Sequence, residues 1–148
     1  MPAKFYVQDV KTGLKNKREL SVFLDKLVRR HITGIKTVHL NYIFCNDDYL
    51  LQINKEFLGH DAYTDIITFN LSEKANELSA EIYISVNRVR ENAGKFITSY
   101  NHELHRVIFH GALHLCGFKD KKDADKKEMR HQENLCLKEY FKKEENAD

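Results

Sequence analysis

Two histidines and one aspartate in the last third of the chain have the spacing of a metal site. His110 and His114 are four residues apart, so on a helix both imidazoles lie on one face, one turn apart, and can reach one metal ion. Gly117 can adopt the left-handed conformation that ends a helix, after which the returning chain brings Asp120 near both rings. The spacing His-x3-His-x2-Gly-x2-Asp therefore predicts a zinc site with His110, His114 and Asp120 as its ligands.

The third ligand has more candidates than the histidine pair. Asp123, Asp125 and His131 also lie downstream, and His131 would move the third ligand onto the next helix. Asp120 is favoured because its loop is the shortest to order. A competing interpretation makes the pair ordinary, partly buried histidines and the glycine a simple helix stop. It explains the pair poorly, because the surrounding run is apolar and burying two imidazoles without a ligand role costs free energy.

Three protein ligands leave one position of a tetrahedral zinc ion open, which is typical of catalytic rather than structural sites. Water at that position becomes a nucleophile near neutral pH, so the predicted chemistry is hydrolysis of a peptide or phosphodiester bond. Zinc peptidases of the His-Glu-x2-His kind carry their general base directly after the first histidine, where this chain has Gly111. Glu103 lies about 10 Å earlier along the helix axis, too far to replace that base. The sequence therefore argues against a peptidase and assigns no general base.

The composition indicates one globular domain spanning residues 1–148. Hydrophobic residues make up 42% of the 148 residues and charged residues 31%, and no apolar run is long enough to cross a bilayer. The N-terminal residues lack the apolar core of a secretory signal, so we expect a cytoplasmic protein. Three scattered cysteines, without a Cys-x2-Cys pair, argue against a disulfide framework and a cysteine zinc cluster. Cys116, inside the motif, is expected to pack on the core.

The charge distribution is only mildly basic. The net charge of +2 is not typical of a strong, general nucleic-acid binder. Between Lys119 and His131, however, six Lys or Arg residues stand against four Asp or Glu residues. This segment predicts a positive rim beside the metal site, although a plain solvated loop and helix face would have the same composition.

Hydrophobic periodicity predicts four strands and five helices in the order β-α-β-α-β-β-α-α-α, an α+β architecture. Asn46 can cap the second helix and Gly59 can end it. The predicted strands cover residues 4–9, 35–45, 65–71 and 81–85, and the predicted helices cover residues 14–31, 47–58, 87–95, 99–116 and 124–143.

The run His-Gly-Ala-Leu-His-Leu-Cys-Gly-Phe-Lys-Asp resembles the signature of the YbeY-type endoribonucleases, the bacterial rRNA maturation factors. Their usual motif is His-Gly-x-Leu-His-Leu-x-Gly-Tyr-Asp-His. Residues 51–54 and 64–69 look like the family's Leu-Asn segment and its Thr-Asp-Val-Leu-Ser-Phe strand. Residues 80–85 are similar to its Gly-Asp-Ile-x-Ile strand, and Met129 and Glu133 fall where the family's last helix has similar residues. The resemblance covers residues 38–137.

This resemblance implies a single α+β domain with a four-stranded mixed sheet, about five helices and a metal site at the end of a long helix. It implies an endoribonuclease, dependent on one zinc ion per chain and specific for single strands, that matures the 3′ end of small-subunit rRNA during ribosome biogenesis. The implied partners are single-stranded or precursor rRNA and the ribosome or its small subunit, with no membrane and no DNA.

Two positions depart from the family pattern. The family's third histidine aligns with Asp120, which is a competent zinc ligand. Leu58 stands where the family commonly has an arginine implicated in activity, so a cation that could stabilise phosphoryl charge is missing there. The residues that could substitute for that arginine are Lys55, His60, Arg88 and Lys119. The loss of the arginine also motivates an alternative function: a ribosome-associated, RNA-binding factor with a structural or vestigial metal.

Overall fold

The computed structural model describes residues 1–145, with side chains through residue 142. Four strands and five helices follow one another in the predicted order. The strands are β1 (Ala3–Val7), β2 (Thr37–Cys45), β3 (Ile66–Asn70) and β4 (Glu77–Ser85), and the helices are α1 (Lys17–His31), α2 (Asp47–Leu58), α3 (Val86–Lys95), α4 (Tyr100–Leu115) and α5 (Asp123–Glu145). The predicted α+β class and helix number are confirmed.

The four strands form one mixed sheet in the order β1-β2-β4-β3. β2 lies parallel to both β1 and β4, while β3 runs antiparallel to β4 at the edge. The main core packs α1, α4 and α5 on one face of the sheet. A smaller cluster around Leu50, Ile53 and Ile67 packs α2 on the other. Strand β3 therefore has α4 on one side and α2 on the other, and the predicted site lies at this edge.

Helix α4 is the buried helix that carries the histidine pair. Its first turn is capped by Ser99, whose hydroxyl oxygen accepts a hydrogen bond from the His102 amide at 3.0 Å. At its other end Gly117 has the predicted left-handed conformation, with φ 102°. The amide of Phe118 donates to the Leu113 carbonyl at 3.1 Å, as in a Schellman turn. The helix stop and the chain reversal predicted from the sequence are thus both present.

Gly111 is the point at which α4 lies closest to the sheet. A Cβ atom added there would stand 3.0 Å from Ile66 Cδ1 and 3.1 Å from Ile82 Cγ2. Such contacts are tighter than ordinary van der Waals packing, so a side chain at this position requires Ile66 and Ile82 to shift. A glutamate of the His-Glu-x2-His kind would therefore strain the packing of α4 on the sheet.

Several predicted boundaries are wrong by a few residues. β4 begins at Glu77 rather than at residue 81, because β2 is long enough to pair with it from Thr37 onward. α1 begins at Lys17 rather than at residue 14, since the preceding Asn16 is left-handed with φ 56°. β1 is also shorter than predicted, and Asp9 just beyond it has φ 56°. None of the helices within residues 1–145 is both long and apolar enough to cross a membrane.

Candidate metal centre and adjoining cleft

His110 and His114 project from the same face of α4, as their spacing predicts. Their rings are parallel to within 5°, with centroids 6.3 Å apart. His110 is partly buried and His114 is exposed. The helix therefore aligns two imidazoles at the border between the core and solvent, where an ion can reach both.

Each ring is oriented by a hydrogen bond at Nδ1. Nδ1 of His110 lies 2.7 Å from Glu133 Oε2, and Nδ1 of His114 lies 3.1 Å from the Phe118 carbonyl oxygen. A carboxylate and a carbonyl can only accept, so Nδ1 carries the proton and donates in both cases. The Nε2 atom of each ring is not used in these hydrogen bonds and is the nitrogen available to a metal ion. Histidines that bind metals are typically held in this way.

Asp120 returns to His110 after the glycine turn. Its Oδ2 lies 3.2 Å from His110 Nε2, so His110 lies between two carboxylates, Asp120 and Glu133. Burial lowers the pKa of His110, but the hydrogen bond and charge of Glu133, with the charges of Asp120 and Asp65, outweigh it, so the pKa is raised. A divalent cation that binds Nε2 of His110 can take the place of the proton on that nitrogen.

The other candidate ligands lie elsewhere. Asp123 and His131 are exposed on α5, and Asp125 lines a separate depression with Lys119 and Lys122. Within the described residues no three His, Cys, Asp or Glu side chains are grouped so that they could share an ion as they stand. The ligand set predicted from the sequence therefore remains a prediction, supported by the contact between Asp120 and His110.

An ion pair between Glu133 and Arg106 holds the ring of His110 in place. Glu133 is 5% exposed and uses both oxygens: Oε2 accepts from His110, and Oε1 accepts from Arg106 Nη1 at 2.9 Å. Arg106 also donates to Asn134 Oδ1 at 2.8 Å. This role of Glu133 was missed in the sequence, where it was matched only to the family's last helix. One signal was available: Glu133 lies at helical spacing between the buried Met129 and Leu137, and a carboxylate in such a stripe indicates a buried partner.

Two more acids, the partly buried Asp65 and the buried Glu103, lie near this pair. Desolvation raises the pKa of Asp65, partly offset by the charge of His110. Desolvation also raises the pKa of Glu103, partly offset by Arg106 and Arg130. Asp65 stands in the Thr-Asp-Ile-Ile-Thr-Phe segment, but nothing in that segment of the sequence predicts a role for it. The predicted packing role of Cys116 is confirmed, since it is partly buried against the main core.

An open cleft of about 470 Å³ adjoins the histidine pair. His114, near the end of α4, lines this cleft, and we call it and its helix neighbour His110 the helix wall. Leu58, His60, Ala62, Tyr63 and Thr64 line the same cleft from the end of α2 and the loop after it, and we call them the loop wall. The floor is strand β3. The side chains that line the cleft are those of Asn54, Leu58, His60, Ala62, Tyr63, Thr64, Ile66, Ile67, Thr68 and His114.

The four cations named as substitutes for the family's arginine have different surroundings. Lys55 and Arg88 are each paired with a carboxylate, at 3.3 Å and 3.2 Å. Lys119 lines the separate depression on the α5 side. His60 lines the cleft itself, together with Leu58 and His114. Among these four residues, His60 is therefore the one whose side chain faces the cleft.

Known proteins are similar to this chain in sequence and in structure. A model of the family described as Endoribonuclease YbeY matches residues 7–141. The chain is 43% identical over 133 residues to the endoribonuclease YbeY of Cytophaga hutchinsonii, covering 90% of this chain and 92% of the relative. It is 41% identical over 137 residues to that of Parabacteroides distasonis, covering 93% and 94%. The solution structure of TM1509 from Thermotoga maritima matches with a TM-score of 0.60 at 27% identity, covering 97% of this chain and 92% of the other.

Proposed function

Because the chain belongs to the endoribonuclease YbeY family, we propose that it is a zinc-dependent endoribonuclease that cleaves single-stranded RNA. Its substrate is precursor small-subunit rRNA near the 3′ end, its partner is the ribosome or the small subunit, and it works in the cytoplasm, where ribosomes assemble. Residues 1–148 act as one hydrolase domain. The observation that carries the proposal is the pair of parallel imidazoles, each held at Nδ1, at the mouth of an open cleft.

His110, His114 and Asp120 would hold the zinc ion. Two imidazole nitrogens and one carboxylate are donors that zinc accepts readily, and three such ligands are the usual number in catalytic sites. When bound, zinc supplies a Lewis acid and an activated water molecule. Glu133 keeps the proton of His110 on Nδ1, and Arg106 orients Glu133 through a hydrogen bond to its other oxygen.

The loop wall supplies the contact to the RNA backbone in this proposal. His60 lines the same cleft as His114, and its ring N–H can donate to a phosphate oxygen of an RNA strand bound in that cleft. Leu58, beside it, offers only apolar surface. We therefore assign to His60 the role in activity that the family resemblance implies for an arginine at position 58.

The test measures zinc and RNA cleavage together. Purified wild-type protein is expected to contain about one zinc ion per chain and to cleave a single-stranded RNA, and His114→Ala to lose both while circular dichroism reports a retained fold. His131→Ala is the matched control, because His131 is an exposed histidine that was also a candidate ligand, and it should keep both. Cleavage that persists after thorough chelation would contradict the proposal.

The alternative of an RNA-binding factor without turnover has one observation in its favour. Position 58 is apolar, and the nearby Lys55 and Arg88 are already paired with carboxylates. Its mark would be salt-sensitive binding of RNA or ribosomes with no cleavage. A metallopeptidase is disfavoured by the packing of Gly111 against the sheet, and a casein digestion assay tests it.

A further inference from the structure

Tyr63 is an exposed aromatic ring in the loop wall. It is 51% exposed, although it lines the same cleft as His60 and His114. A tyrosine in a folded protein usually buries most of its ring, because the ring is largely apolar. An exposed ring beside a proposed RNA-cleaving site is therefore a candidate contact for a nucleobase.

The ring is supported from behind by a cation. The guanidinium carbon of Arg88 lies over the Tyr63 ring, 4.9 Å from its centroid. Arg88 is itself held by Asp47 at 3.2 Å and by Glu91 at 3.6 Å. Asp47 also accepts a hydrogen bond from the Ser85 hydroxyl at 2.7 Å. Arg88 thus covers one face of the Tyr63 ring, and the exposed surface of the ring lies away from that face.

The backbone on both sides of Tyr63 is also anchored. Asn54, which is 5% exposed, donates through Nδ2 to the Ala62 carbonyl at 2.8 Å. After the tyrosine, the carbonyl of Asp65 accepts from the Ser85 amide at 2.9 Å. A ring held in place by its loop loses little conformational entropy when it binds a ligand.

We propose that Tyr63 is a base-stacking residue: the nucleobase next to the scissile phosphate stacks on the face of the ring turned away from Arg88. The phosphate then lies between His60 and the helix wall. Stacking between a base and an aromatic ring needs an unpaired base and tolerates any base identity. This inference rests on the proposed function, because it names how that same cleft holds its RNA.

The experiment compares Tyr63→Leu with Tyr63→Phe on a single-stranded RNA, using the zinc-loaded full chain. Tyr63→Leu is expected to raise KM about 10-fold with kcat changed less than about 3-fold, since losing a stacked base weakens binding by roughly 5- to 150-fold. Tyr63→Phe keeps the ring and should stay within about 3-fold of wild type in KM. Tyr6→Leu is the matched control, because Tyr6 is 49% exposed but lies on β1 at the far edge of the sheet.

A second measurement identifies the stacked base. An abasic nucleotide beside the cleaved bond should raise KM of the wild type about 10-fold, and should add almost nothing to the loss already present in Tyr63→Leu. The fluorescence of a 2-aminopurine at that nucleotide should be quenched on binding to wild type and not on binding to Tyr63→Leu.

Three results would overturn the inference. The first is an unchanged KM for Tyr63→Leu, and the second is a KM for Tyr63→Phe as high as that for Tyr63→Leu. The third is that the abasic nucleotide raises the KM of Tyr63→Leu by the same factor as that of wild type. If wild type cleaves RNA while any of these holds, stacking fails but the nuclease stands; if wild type neither binds nor cleaves RNA, the proposed function fails as well.

Discussion

The two walls of the cleft are built by different means. In the helix wall, His110 and His114 are aligned by the period of one buried helix, and each ring is held by an acceptor at Nδ1. In the loop wall, His60 and Tyr63 are exposed, and their positions depend on contacts with Asn54 and Arg88. In the proposed function the zinc ligands lie on the side held by the helix, whereas the residues that contact the RNA lie on the exposed side. Substitutions in the helix wall should therefore cost stability as well as activity, and those in the loop wall mainly activity.

The largest effect is expected for Glu133→Ala. The substitution leaves Arg106 without its buried partner and His110 without its acceptor, so the free energy of unfolding should fall by about 3–5 kcal/mol. Zinc affinity should fall about 10- to 100-fold. Urea unfolding and a competitive chelator titration measure the two changes. The control is Glu139→Ala on the same helix, which breaks an exposed pair with Arg30 and should cost less than about 1 kcal/mol.

Gly111→Glu probes how closely the helix wall approaches the sheet. Even the Cβ of the new side chain would lie 3.0 Å from Ile66 and 3.1 Å from Ile82, so that both must shift, and urea unfolding should report a loss of about 1–3 kcal/mol. No peptidase activity should appear. Gly94→Glu is the control, because a Cβ on Gly94 in α3 meets nothing within 4 Å. Equal stabilities of the two variants would contradict the close packing at Gly111.

His60→Ala tests the loop wall and should leave stability unchanged within about 0.5 kcal/mol, as for exposed positions generally. Its kcat on single-stranded RNA should fall about 100-fold, the typical effect of removing one donor to a developing charge. Adding Leu58→Arg should restore at least about 10-fold of that loss, because position 58 lines the same cleft. A His60→Ala variant as fast as wild type would remove His60 from the mechanism.

The smallest effect is expected for Lys55→Ala. Lys55 pairs with Asp61 at 3.3 Å, but the two side chains are 49% and 79% exposed, so the pair should contribute less than about 1 kcal/mol. RNA cleavage should stay within about 2-fold of wild type at physiological salt. A larger loss of kcat would indicate that Lys55, rather than His60, contacts the RNA backbone.

The helix wall could largely be predicted from the sequence because its geometry is local. The spacing of His110, His114 and Gly117 fixes a helix face and its end, and the structure has both. The short loop to Asp120 limits where that carboxylate can go, and it lies beside His110. The N-cap at Asn46 could be predicted for the same reason, because it is a contact between near neighbours in the sequence. Its side chain accepts a hydrogen bond from the Tyr49 amide at 2.8 Å.

What the sequence left out depends on distant contacts. Glu133 reaches His110 across 23 residues, and Arg88 reaches Tyr63 across two strands of the sequence, β3 and β4. No periodicity links such pairs, because their contact exists only once the helices have packed. The early start of β4 has the same origin, since its first residues gain strand structure by pairing with β2.

The central claim is that His110, His114 and Asp120 bind one zinc ion. The most direct measurement is a competitive chelator titration of zinc into wild type, His114→Ala, Asp120→Ala and His131→Ala, with the metal content of each protein measured in parallel. The account predicts one tightly bound zinc ion per chain in wild type and His131→Ala, and strongly weakened binding in His114→Ala and Asp120→Ala. A wild type that binds no zinc, or an Asp120→Ala variant with undiminished affinity, would contradict it.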